Sequence, residues 1–291
     1  MKRVLLWIIG IAVTFTSCSR EEVTADLLPH TDDFTASISV ESRTELQDRT
    51  KILWEEDDLV SIFAVTMHNR QYRVKSLSEN RRSATFTKTG VYSGSGDNAP
   101  AAKVALFPYH VDARLNDLKI TTYTPSEQPY ASGKYGLDYS LMAAQTTGSS
   151  FSFKNTGALM RFNVAKDEGV PEPYTLQSIR IESKTLALAG KVTIDLSTDN
   201  KAIVAEDGPK MITLTGINTK ITTEAQSFYV ALPAVTFPAN DLTFTFVFDE
   251  MTKVIPYAAS LTAGQNSIKS IIYNISSEEF TGETPGFDTE E

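Results

Sequence analysis

Cys18 is the one cysteine in 291 residues, and its place in the chain limits the chemistry open to it. Lys2-Arg3 precede an apolar run from Val4 to Phe15, and Thr16-Ser17 separate that run from the thiol. A positive start, about a dozen apolar residues and a small-residue end make a secretory signal peptide, too short to span a bilayer. An exported thiol with no second cysteine cannot close an internal disulfide. At the N-terminus left by removal of residues 1–17, it is placed for thioether formation with a diacylglyceryl group and acylation of the freed amine. Several acyl chains hold a protein in a membrane permanently, where a single chain holds it only marginally. Phe15, three before the cysteine, departs from the leucine usual there and leaves a non-lipidated signal peptide as the alternative.

Other reactive side chains are scattered. His30, His68 and His110 have no partner at metal-ligand spacing, so no metal site is expected and each reads as a loop or surface residue. Gly94-Ser95-Gly96-Asp97 lies between strands and reads as a turn rather than a phosphate cradle. Glu55-Glu56-Asp57-Asp58 lacks the calcium-loop spacing and reads as a solvated turn entering a strand. Paired carboxylates for glycoside hydrolysis need be close only in space, and 36 acidic residues make chance pairs plentiful. No enzyme signature is present, so no catalytic residue and no cofactor is expected.

Charge narrows the partners. The chain carries −9, and losing Lys2 and Arg3 with residues 1–17 leaves −11. An acidic exported protein is a poor candidate for binding nucleic acid. The cluster Arg70, Arg73, Lys75, Arg81 and Arg82, interleaved with Tyr72 and Val74, reads as the wet face of a strand and its turn.

The elements are set by period-two alternation. Phe34, Ala36, Ile38 and Val40 alternate with Thr35, Ser37 and Ser39, and Leu242, Phe244, Phe246 and Phe248 alternate with Thr243, Thr245 and Val247. Similar runs include Leu59–Val65, Gln71–Leu77, Lys103–Pro108, Ala158–Val164, Leu176–Glu182, Gln226–Leu232 and Ile268–Ile275. About fourteen short strands between Gly, Asn, Asp and Pro turns predict an all-β architecture of two sandwiches in tandem. One helix is expected, over Leu137–Gln145. The expected organisation is a lipoprotein signal peptide at 1–17, a flexible linker at 18–33, sandwich domains at 34–149 and 150–276, and an acidic, disordered tail at 277–291.

Five blocks fall in a recognisable order. They are Trp54-Glu55-Glu56-Asp57-Asp58-Leu59-Val60-Ser61-Ile62-Phe63, Ala105–Tyr109, Asp138–Ala144 with Phe151–Phe153 and Gly157–Phe162, Phe228–Pro233, and Leu261–Gly264. In this order the chain resembles the fimbrillin-like proteins, the type V pilins of Bacteroides relatives, over about residues 34 to 275. Asp57-Asp58 stands where that family has Gly-Asp. The acidic stretch Ser19-Arg20-Glu21-Glu22 resembles the surface-export signal of Bacteroides-type lipoproteins, or is plain linker.

The resemblance implies two transthyretin-like sandwiches, an outer-membrane lipid anchor at Cys18, surface exposure and a part in fimbriae or adhesion. It also implies cleavage after an arginine in the loop after the first strand, here Arg43 or Arg49. The first strand, with inward residues Phe34, Ala36, Ile38 and Val40, then leaves and another fimbrial subunit's strand replaces it. Phe34–Val40 reads as an edge strand suited to this. The family's donor strand is an alternating apolar segment at the C-terminus. Residues 276–291 instead hold six acids, no Lys or Arg, and only Phe280 and Phe287 as bulky apolar residues. A tip, accessory or anchor subunit therefore fits better than a stalk subunit, with the receptor unspecified. The competing class is a surface glycan-binding lipoprotein using Tyr92, Tyr109, Tyr123, Tyr130, Tyr135 and Tyr139.

Overall fold

The computed structural model describes residues 33–38, 53–64, 68–89, 102–132, 139–170, 174–249 and 251–276. In these residues the chain is all-β, with 22 strands and no α-helix. They are β1 (Phe34–Ile38), β2 (Leu59–Phe63), β3 (Arg70–Leu77), β4 (Ser83–Lys88), β5 (Lys103–Phe107), β6 (Arg114–Asn116), β7 (Lys119–Thr124) and β8 (Glu127–Pro129). Then come β9 (Met142–Thr146), β10 (Ser150–Asn155), β11 (Ala158–Lys166), β12 (Thr175–Ser183), β13 (Gly190–Asp195), β14 (Ala202–Val204) and β15 (Met211–Thr215). The rest are β16 (Thr219–Lys220), β17 (Gln226–Leu232), β18 (Thr236–Phe237), β19 (Leu242–Phe248), β20 (Thr252–Pro256), β21 (Leu261–Thr262) and β22 (Ile268–Ile275).

Seven strands close a barrel in the order β1-β10-β9-β5-β2-β3-β4. Alternation sends one face of each strand inward, and the interior is aromatic: Phe34, Trp54, Tyr72, Phe86, Phe107, Phe151 and Phe153, with Ala36, Ala84, Ala105 and Ala144 between them. Three strands bury both faces. Val60 and Ile62 of β2, Ala105 and Phe107 of β5, and Met142 and Ala144 of β9 point into the barrel. Phe63, Val104, Leu106 and Ala143 on the other face form a second core with Leu115, Ile120, Val192, Ile194 and Ala202. Those partners come from a four-stranded sheet, β14-β13-β7-β6, laid on the barrel's outside. Coverage on both sides is why Val104-Ala105-Leu106-Phe107 is apolar without alternation.

The third core is a sandwich. The sheet β17-β11-β22 faces the sheet β20-β19-β12-β15-β8, to which β16 adds through β12. Across the gap Phe162 meets Phe244 and Phe246 edge-on at 5.4 and 5.7 Å, and Phe246 stacks on Tyr273 at 4.4 Å. Gly157, between β10 and β11, allows the close approach of Leu232: a Cβ there would collide with that residue's carbonyl oxygen. β22 runs parallel to β11, from Leu159↔Ile268 to Lys166↔Ile275. Over its eight residues β22 runs about 25 Å alongside β11.

Two expectations are corrected. The helix over Leu137–Gln145 is not formed: Met142–Thr146 is β9, paired with β5 and β10, and its apolar run is explained by burial on both faces. β1 is not an edge strand, because β4 and β10 flank it. The expected boundary at 149/150 falls in the β9–β10 connection of the barrel. Strands also pair across it, β7 with β13 and β8 with β15.

Candidate functional site

The slot filled by β1 brings the most residues of interest together. β1 lies antiparallel to β4 (Phe34↔Phe86, Ala36↔Ala84) and parallel to β10 (Ala36↔Phe151, Ile38↔Phe153). Phe34 is 8% exposed and Ala36 2%, while Ile38 is partly buried against the same core. Phe34 meets Tyr72 and Phe151, each with ring centroids 5.5 Å apart. Thr35, between the two inward residues, is exposed.

Polar contacts hold both ends of the strand. At its start, Lys75 Nζ of β3 donates to Asp33 Oδ2 at 2.6 Å. This hydrogen bond first, one from Thr87 next, and the Lys75 charge besides hold the Asp33 carboxyl below its usual pKa, against a small opposing cost of burial. Lys103 Nζ lies 5.4 Å from the centre of the Phe34 ring and donates to the Gly148 carbonyl at 2.7 Å. The Thr35 N–H donates to the Ser149 carbonyl at 3.0 Å. At the strand's end, the Ile38 N–H donates to the Arg82 carbonyl at 3.1 Å.

The chain returns to the same place. The Trp54 N–H donates to the Arg81 carbonyl at 2.9 Å, and Arg81 Nε donates to the Trp54 carbonyl, also at 2.9 Å. Ile38 and Trp54 are therefore bound to adjacent peptide units of the β3–β4 hairpin. Arg81 takes this position at φ +56°, in the left-handed region. Trp54 is 1% exposed and its ring meets Phe86, Phe107 and Phe153 edge-on at 5.1, 5.3 and 5.3 Å. The acidic turn that follows is closed by the Glu55 N–H donating to Asp58 Oδ2 at 2.7 Å.

Of the residues singled out from sequence, Phe34, Ala36 and Ile38 come together in the slot. Val40, Arg43, Arg49 and Cys18 lie outside the described residues. In the basic cluster Arg73 and Lys75 lie on the exposed side of β3, as expected, whereas Arg70 is buried; Lys75 also binds Asp33 and Arg81 binds Trp54. Alternation could not find the roles of Lys75, Lys103 and Arg81, since each reaches a partner 27 or more residues away. The tyrosines do not share one place. Tyr123 is 47% exposed on β7, Tyr130 packs on Phe228 at 5.6 Å, and Tyr139 lines a cavity of about 20 Å³, room for one water. Tyr92 and Tyr135 lie outside the described residues. His110 is held by its backbone: its N–H donates to Ser61 Oγ at 3.4 Å and its carbonyl accepts from Asn69 Nδ2 at 2.6 Å.

Among solved structures, a putative cell adhesion protein from Bacteroides uniformis superposes over 89% of this chain and 98% of its own, with a TM-score of 0.53 and 17% identity. Another from Bacteroides ovatus covers 89% of this chain and 95% of its own, with a TM-score of 0.52 and 13% identity. The chain has their fold. A fimbrial protein from Bacteroides vulgatus aligns over 89% of this chain and 98% of its own at 12% identity, with a TM-score of 0.42. The structural neighbours are thus Bacteroides cell adhesion and fimbrial proteins, and the fold statement rests on the first two. No protein-family model and no curated protein matches the sequence.

Proposed function

We propose that this protein is a non-enzymatic surface adhesin or fimbria-associated subunit, acting as tip, accessory or anchor rather than stalk. Until it is cleaved, lipid on Cys18 holds it at the outer membrane. Cleavage after Arg43 or Arg49 frees β1, and a strand from another subunit then takes its place. The observation that carries this reading is the way β1 is held. It is a single five-residue strand between β4 and β10, joined to the rest of the chain through residues 39–53. Ile38 and Trp54, on either side of that segment, are both bound to the β3–β4 hairpin, so Trp54 keeps its own bonds when the chain is cut between them. Losing β1 uncovers Phe34, Ala36 and part of Ile38 positions, a cost on the order of 5 kcal/mol as an upper estimate. That is comparable with a domain's whole stability, so an emptied slot must be refilled. Main-chain pairing on both sides plus inward side-chain pockets is what an added strand needs.

The test is the intact mass of the protein taken from the surface of its native cells. A mass beginning at Thr44 or Thr50, without lipid, is expected for the exchanged form. Residues 18–291 carrying three acyl chains would mean that β1 stays, restricting the protein to an anchor or stand-alone adhesin. One observation favours the glycan-binding alternative: Tyr123 is exposed on the open face of β7, opposite Lys191 in register. Binding on a glycan array that Tyr123→Ala abolishes would establish that role.

A further inference from the structure

The inward positions of β1 differ in size, and the slot is shaped to that order. Phe34 fills a wide place beside Tyr72 and Phe151. Ala36 sits between Ala84 of β4 and Phe151 of β10, and Ile38 sits beside Phe153. Ala36 is buried in the same core as Ala84, Ala105 and Ala144. Trp54, in that core too, meets Phe86, Phe107 and Phe153 edge-on. Small barrels are filled by their own side chains at near-crystalline density, so a larger group must displace its neighbours. Outward, Thr35 is exposed and Ser37 Oγ lies 3.4 Å from the Phe151 carbonyl, which suits polar residues.

Taking β1 as the exchangeable element proposed above, we propose that the slot sorts incoming strands by size at the Ala36 position. It accepts a segment with an aromatic first, Ala or Gly third and β-branched fifth residue, running parallel to β10, and it rejects a bulky third residue. Ala84 and Phe151 set this limit. Within the whole sequence only two segments have an aromatic residue, then Ala or Gly two places on, then Val, Ile or Thr four places on. They are Phe34-Thr35-Ala36-Ser37-Ile38 and Phe280-Thr281-Gly282-Glu283-Thr284. The second lies outside the described residues, in the acidic segment that departs from an apolar donor strand; as a free peptide it meets the size rule, and the slot takes it.

The mature chain is cut after Arg43 or Arg49 with an arginine-specific protease, the site is checked by mass, and fluorescent peptides are offered in exchange for the seated β1. Peptides of residues 33–39, the same with Ala36→Gly or Thr35→Leu, and residues 279–285 are expected to enter. The Ala36→Leu peptide is expected to bind at least about tenfold more weakly. Equal binding of the Ala36→Leu peptide overturns the size rule, as does refusal of residues 279–285 by a slot that takes residues 33–39. Failure of the native peptide to enter would instead sink strand exchange itself. The size rule then stands or falls on the uncut chain, where Ala36→Leu should melt several degrees lower and Thr35→Leu should not. Equal melting of the two would overturn it.

Discussion

Arg81 holds Trp54 by both backbone polar groups, and its own backbone is in a conformation that costs a non-glycine residue about 1–2 kcal/mol. These two effects can be separated. Arg81→Ala keeps the backbone cost and loses the side-chain bond, so stability should fall by about 1–2 kcal/mol in urea denaturation. Arg81→Gly loses the same bond but relieves the backbone, and should fall clearly less. Equal losses would mean that the left-handed backbone at Arg81 costs nothing, and no loss in Arg81→Ala would mean that its side-chain bond contributes nothing. Asp33 gives a pH effect at the same scale. Its folded pKa is depressed, so its contribution is present above the unfolded value near 4 and is lost as pH falls through the folded one. Lys75 is more than half exposed, so the pair is worth at most about 1 kcal/mol. Release of cleaved β1 should therefore speed up modestly below about pH 4. Asp33→Asn should release faster at neutral pH and lose that dependence, as a stopped-flow anisotropy series would show. Trp54 and its acidic turn were legible as a block, because local sequence builds the turn. Its clasp was not, because Arg81 is distant in sequence and looks like any turn arginine.

At the scale of elements, the alternating strands were legible nearly to the residue: β19 and β22 occupy the ranges their alternation marks, although Thr245 and Ser270 on the polar sides are buried too. β9 was misread as helix for the reason that makes β5 continuous, since a strand covered on both faces loses its period-two signal. β6, β7 and β8 were missed because they are short or rich in Thr and Pro, and their pairing with β13 and β15 is decided by distant residues. The inward residues of β1 were legible from alternation, but its two flanking partners were not. Removal of residues 1–17 takes Trp7 with it, leaving Trp54 as the one tryptophan. Displacing β1 should thus move the emission of a single buried indole to the red, and refilling the slot should reverse it. An unchanged spectrum on loss of β1 would mean that the aromatic interior does not open. At the barrel–sandwich connection, Gly157→Ala should cost about 2 kcal/mol or more, through the backbone shift needed to clear Leu232, measured by thermal melting.

For the molecule as a whole, the middle core matters most. It is built from barrel strands β2, β5 and β9 on one side and from β7, β13 and β14 on the other, so residues before and after position 150 share it. A chain of two independent sandwiches would melt in two steps. This arrangement should unfold in one, with Trp54 emission and far-ultraviolet circular dichroism tracing the same urea curve. Leu106→Ala, which empties part of that core, should lower both probes together by about 2–5 kcal/mol. A shift in one probe alone would show that the two halves unfold separately.

The placement of β1 between two partners also bears on tension. If the residues ahead of Asp33 tie the protein to a cell, a pull along β1 stretches its hydrogen bonds to β4 and to β10 side by side, all at the same moment. A strand at the rim of a sheet, pulled the same way, would be held by bonds on one side only. The barrel would then resist shear flow most strongly along the line on which the tether pulls, and a cut in the 39–53 loop would turn that same strand into the point of detachment.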